Sequence, residues 1–88
     1  MTTAEIALRD RSIKRALETL ETVGAGLAEG PLFDQVERMV GQHLTVGERK
    51  SYLARMTDRE WIYDYRDRLT DEVKFAITEA GRLAMAAL

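Results

Sequence analysis

Between Asp58 and Thr78 the apolar pattern of this 88-residue chain changes period, and it does so nowhere else. WIYDYR (61–66) and VKFAI (73–77) alternate in side-chain character and are rich in aromatic and β-branched residues, the pattern of strands. Everything before and after them carries apolar residues at helical spacing. The polar stretch 67–72 between the two runs has about the length of a hairpin loop. A single two-stranded ribbon inside an otherwise helical chain defines an α+β, mostly α, fold of one domain over 1–88.

The helical parts announce their own ends. Thr2 and Glu5 have the spacing of a capping box, which predicts a first helix over 3–23, with Ile6, Ile13, Ala16, Leu17 and Leu20 on its buried face and a stop at Gly24 and Gly26. Proline at a first helical position predicts a second helix from Pro31 to Val40, with Leu32, Phe33, Val36, Met39 and Val40 buried and Gly41 as its terminator. Thr45 and Glu48 repeat the capping-box spacing and open a third helix over 46–57. Thr78 caps a last helix over 79–88.

Composition narrows the chemistry. The absence of cysteine excludes disulfides, thiolate zinc sites and thiol catalysis, and suits a reducing compartment. No run approaches the ~18 apolar residues of a membrane span. Glu5 and Asp10 lie where a secretory signal would need a basic start and an apolar stretch, so the expectation is a cytoplasmic protein. Thirteen Lys and Arg face fifteen Asp and Glu, a formal charge of −2, which argues against an indiscriminate polyanion binder. Neither a glycine-rich phosphate loop nor a histidine paired with a nucleophile is present, so no catalytic residue, cofactor or enzyme activity is expected. His43, the only histidine, lacks the companions of a metal site.

The order helix, helix, turn, helix, hairpin, helix resembles the winged helix-turn-helix family of DNA-binding domains, from about Arg11 to Ala84. Leu53, Met56, Trp61, Ile62, Ile77, Thr78 and Gly81 occupy the matching positions at the end of the third helix, into the wing and out of it. The resemblance implies a three-helix core, a wing over 61–77, and a third helix that enters the major groove of duplex DNA. It also implies a wing that reaches a neighbouring groove or the backbone, and the function of a bacterial or phage transcriptional regulator. A groove admits a helix and offers it a full donor and acceptor code.

At about 100° per residue, placing Val46, Arg49, Leu53 and Met56 toward the core leaves Gly47, Glu48, Ser51, Ala54, Arg55 and Asp58 outward, with Lys50 and Tyr52 on the flanks. The expected DNA-binding residues are Lys50, Ser51, Tyr52, Arg55 and Arg68: Ser51 and Arg55 toward base edges, Lys50 and Arg68 toward phosphates. The wheel turns Arg49 inward. Arg68, at the wing tip, is surrounded by Asp64, Asp67, Asp71 and Glu72, a local negative excess that phosphates would repel. From Leu44 to Arg66 the bases exceed the acids by one.

Two further features have competing readings. Trp61, Tyr63, Tyr65 and Phe75 either stack bases or, the commoner use of alternating aromatics, cover a core from one hairpin face. The charged run that includes Asp10 and Lys14 reads as a solvated face with paired charges, and the apolar RLAMAAL end as core or as a homodimer contact of the terminal helices. The alternative to DNA binding is a protein-interaction module, a phage-type adaptor or inhibitor whose acidic wing contacts a basic protein partner.

Overall fold

The computed structural model describes all 88 residues, Met1–Leu88. Its elements run α1 (Thr3–Val23), α2 (Glu29–Val40), α3 (Val46–Asp58), β1 (Ile62–Arg66), β2 (Val73–Ile77) and α4 (Glu79–Ala87). This is a winged-helix fold.

α1 starts as its cap residue dictates: the Thr2 hydroxyl accepts the Glu5 N–H at 3.1 Å. The reciprocal half of the box is absent, because the hydroxyl donates to the Glu5 carboxylate instead. α2 begins two residues earlier than the proline signal implied. Ala28 is its N-cap, so Pro31 is the third helical residue; its missing N–H is still one of the amides that no helix can pair. Gly41 ends α2 at φ 69°, a left-handed conformation that costs glycine little. Both halves of the Thr45–Glu48 box are formed at the start of α3.

The core is a continuous set that includes Leu8, Ile13, Leu17 and Leu20 of α1, Leu32, Phe33 and Val36 of α2, Leu44 of the turn, Tyr52 and Met56 of α3, and Ile62 and Ile77 of the wing base. Burying a side chain such as Phe33 or Leu17 stabilises by about 1.5–3 kcal/mol each. Ile6 and Met39, expected in this core, are exposed. Ile6 lies in the first turns of α1; Met39, near the end of α2, is open to solvent although its sulfur still meets the Thr19 hydroxyl of α1 at 3.4 Å. α3 is rotated relative to the expected wheel: Val46 is 69% exposed, while Tyr52 is buried, at 3%. The large ring of Tyr52 takes the place next to α1 that Val46, at the first position of the helix, does not reach.

β1 and β2 are antiparallel with Ile62 opposite Ile77, Asp64 opposite Phe75 and Arg66 opposite Val73. Opposed residues share a sheet face, so Ile62, Phe75 and Ile77 lie on one side and Tyr63 and Tyr65 on the other. The four aromatics therefore do not cover the core from a single face, and Tyr63 is exposed. The ribbon also gains a third member. Leu27 exchanges backbone hydrogen bonds with Phe75 of β2 at 3.0 and 2.8 Å, and the Tyr65 hydroxyl of β1 donates to the Ala25 carbonyl at 2.5 Å, which fastens the α1–α2 connection to both strands. Asp10 pairs with Arg9 rather than Lys14, and Lys14 instead donates to the Leu88 backbone oxygen at 2.9 Å, tying the end of α4 to α1.

Candidate nucleic-acid interface

The angle between α2 and α3 is set by one carboxylate. Glu37 of α2 accepts the Leu44 N–H at 3.1 Å and meets His43 Nδ1 at 2.8 Å, and it pairs with the Arg49 guanidinium of α3, which also reaches Asp34 at 3.1 Å. The backbone hydrogen bond from Leu44, together with the contacts of Arg49 and His43, holds the Glu37 carboxyl below the usual carboxylate range. His43 thus serves the turn through Glu37. Arg49 is turned inward, as expected, and is fully occupied there.

With that side of α3 committed, its opposite side is defined. Gly47, Lys50, Ser51, Ala54 and Asp58 are exposed along it. Glu48 spends one carboxylate oxygen on the cap of its own helix: Oε1 accepts the Thr45 N–H at 2.8 Å. Gly47 has no role in the fold, since a Cβ there would meet only Thr45 Oγ1 at 3.9 Å. A helical glycine costs about 1 kcal/mol relative to alanine. What it provides is bare backbone near the helix start.

The wing is less acidic outward than its composition implies. Asp67 turns inside the loop, with Oδ1 accepting the N–H groups of Leu69 at 2.8 Å and Thr70 at 3.3 Å, and Oδ2 accepting Lys74 Nζ at 2.7 Å. Lys74 first, then those two amides, hold its carboxyl below the ordinary value, and the same contact raises the Lys74 ammonium. Asp71 pairs with Arg66 at 3.3 Å. Arg68 takes part in none of the ion pairs of the chain and is fully available at the tip. Asp64 and Glu72 remain as unpaired acids of the wing.

Of the five residues expected to contact DNA, Lys50 and Ser51 lie together on the open face of α3, and Arg68 stands apart on the wing. Tyr52 is in the core; burial first, then the nearby Glu48 charge, push its phenol up. Arg55 is half-buried on the side of α3 that faces α1, where the charges that act on it are Arg9, Arg59 and Asp10. The i, i+4 spacing of Arg55 and Arg59 is readable in the sequence. The approach of Arg9 depends on how α1 crosses α3, which no local pattern encodes. The groove lined by Glu5, Thr45, Gly47, Glu48, Ser51 and Tyr52 runs beside the start of the open face.

The fold and this open helix beside a hairpin define a winged helix-turn-helix domain. No family model matches the sequence, and no curated protein matches it. Among solved structures the chain is similar to the S. aureus MepR–DNA complex, with a TM-score of 0.61 and 17% identity over 85% of this chain and 50% of that one. The likeness is one of fold, and the chain spans half the length of the MepR chain it matches. No helix is long and apolar enough to cross a membrane.

Proposed function

We propose that the protein binds duplex DNA as a transcriptional regulator of bacterial or phage type, with the first turns of α3 in the major groove and Arg68 of the wing against the backbone or an adjacent groove. The observation that carries this reading is the outward face of α3: small at Gly47, Ser51 and Ala54, basic at Lys50, and next to a carboxylate, Glu48, that its cap already engages. Small side chains let the helix backbone approach base edges, and an uncommitted lysine reaches phosphate. Ser51 contacts bases, and Lys50 and Arg68 contact phosphates. The likeness of fold to a protein solved with DNA supports the reading.

A homodimer belongs to the same proposal. Leu83, 70% exposed on α4, and Ile6 of α1 are apolar and uncovered, and two copies joined there would read two half-sites. Fluorescence anisotropy against a random-sequence duplex pool tests the function. Saturable binding that weakens as salt rises is expected, and no binding at about 50 mM salt refutes it.

A protein-interaction module is the second reading, favoured by one observation. Leu69 at the wing tip is 96% exposed, and the same wing carries the unpaired acids Asp64 on β1 and Glu72 in the loop. Failure of the folded wild type to bind any duplex, with binding to a basic protein that weakens in Leu69→Ser, would favour it.

A further inference from the structure

A groove of about 350 Å³ runs between the start of α1 and the start of α3, with Glu5 on the first side and Glu48 on the second. Each carboxylate spends one oxygen at its own helix start. Glu5 Oε1 accepts the Thr2 hydroxyl at 3.1 Å, and Glu48 Oε1 accepts the Thr45 N–H at 2.8 Å. The second oxygen of each makes no hydrogen bond, and neither residue belongs to an ion pair. Arg9 reaches the groove's edge, 3.7 Å from the Met1 sulfur, but is already paired with Asp10. Tyr52 supplies an independent sign. It is only 3% exposed and lines the groove, yet its hydroxyl bonds to nothing within the chain. That oxygen is not sealed in the core as the Ser12 hydroxyl is, so it opens into the groove. A phenol buried to this degree ordinarily has a hydrogen-bond partner.

We propose that this groove binds an organic ammonium ion, a small amine with an apolar body, and that the occupied groove keeps α3 out of the major groove of DNA. The second half rests on the DNA-binding reading above. Two unspent carboxylate oxygens attract a cation, and the phenol oxygen accepts one of its N–H groups. The Tyr52 ring and the Met1 side chain offer apolar surface to the rest of the ligand. A metal ion matches less well: no three His, Asp or Glu side chains come together to hold one, and a hard divalent cation needs more oxygens than two carboxylates and a phenol provide. The volume lies near the lower end of small-molecule sites, about 300–1,000 Å³, so the ligand is small. Gly47 and Ser51 line the groove and also belong to the open face of α3, so a molecule seated there takes the space that base edges need. By linkage, the amine and the duplex then lower each other's affinity by the same factor.

Two experiments separate the site from that function. In the first, benzylamine, a cation at pH 7, and its neutral counterpart benzyl alcohol are titrated at constant ionic strength and read by the backbone amide signals of Gly47, Glu48 and Ser51. Benzylamine should shift these signals saturably in the wild type, and benzyl alcohol should not. Binding should weaken several-fold in Glu5→Gln and in Glu48→Gln, and roughly tenfold in Tyr52→Phe, where a hydrogen bond to a charged group is lost. Glutamine accepts the same capping hydrogen bonds as glutamate, and phenylalanine keeps the buried ring, so the variants stay folded. The benzyl alcohol control needs no variant. No saturable shift, an equal response to benzyl alcohol, or unchanged binding in all three variants overturns the site. Displacement of benzylamine by Mg²⁺ at matched ionic strength makes it a metal site and overturns the assignment. In the second experiment, duplex binding is followed by anisotropy with and without saturating benzylamine. The amine should weaken it several-fold in the wild type and much less in Glu48→Gln. Duplex binding untouched by the amine overturns the competition and leaves the function standing. Amine binding by a wild type that binds no duplex supports the site and overturns the function. Failure of the wild type in both experiments overturns both.

Discussion

Arg49 of α3 pairs with Glu37 of α2, and the same carboxylate accepts the backbone N–H of Leu44 at 3.1 Å. One side chain therefore fixes the turn and the angle of the helix that follows it. Removing its charge should destabilise the domain at neutral pH, since Arg49 and the Leu44 amide would compete for a weaker acceptor.

The pH dependence of that effect has a definite sign. The folded state holds the Glu37 carboxyl below its ordinary value, whereas in the unfolded chain it titrates near about 4.3. Its stabilisation is then complete above that range and disappears as pH falls through the lowered folded value. Urea unfolding of the wild type and Glu37→Gln at a series of pH values should show a gap that is constant from pH 7 to 5 and closes in acid. A gap independent of pH would mean that the ionised form contributes nothing.

Gly81 is required by the approach of α4 to the wing base. A Cβ there would run into the Trp61 carbonyl oxygen and stand 2.8 Å from Ile77 Cγ1. Neither can yield easily, because the Trp61 carbonyl accepts the Thr78 N–H at 3.0 Å and Ile77 is core. Gly81→Ala should cost about 3 kcal/mol, or roughly 10–20 °C in Tm, despite the better helix propensity of alanine. A thermal melt within a few degrees of the wild type would contradict the packing.

Ser12 gives the opposite sign. Its side chain is fully buried in α1, and its hydroxyl has no hydrogen-bond partner. Such a group keeps its desolvation cost without compensation, and serine is also the poorer helix former. Ser12→Ala should raise stability by about 1 kcal/mol, visible as a higher urea midpoint at unchanged slope. A loss instead would show that the hydroxyl has a partner in solution.

What was legible in the sequence was local. The Thr45–Glu48 box, the Gly41 stop and the change of period at the wing each depend on residues within one turn or one hairpin, and each is formed as expected. The rotation of α3 was not legible, because whether Val46 or Tyr52 faces the core is decided by where α1 lies. The separation of Phe75 from Tyr63 and Tyr65 follows from a strand register that residues 67–72 set through their loop geometry. Charge was the most misleading quantity. A count of acids in the wing cannot show that Asp67 closes on its own loop or that Asp71 meets Arg66.

Asp67 provides a prediction on which two physical effects disagree. Simple electrostatics says that removing a negative charge next to Arg68 should strengthen binding to DNA. The structure says that Asp67 holds the tip, through Leu69 N–H at 2.8 Å, Thr70 N–H at 3.3 Å and Lys74 at 2.7 Å, so its loss frees the loop that presents Arg68. Ordering such a loop again on binding costs about 1 kcal/mol or more per residue, which exceeds what one screened surface charge contributes. Asp67→Ala should therefore weaken duplex binding by about tenfold, comparable to Arg68→Ala, and combining the two should add little because they remove the same contact. Amide hydrogen exchange at Leu69 and Thr70 should accelerate in Asp67→Ala and stay unchanged in Arg68→Ala. Tighter binding in Asp67→Ala would mean that the wing meets DNA through charge alone.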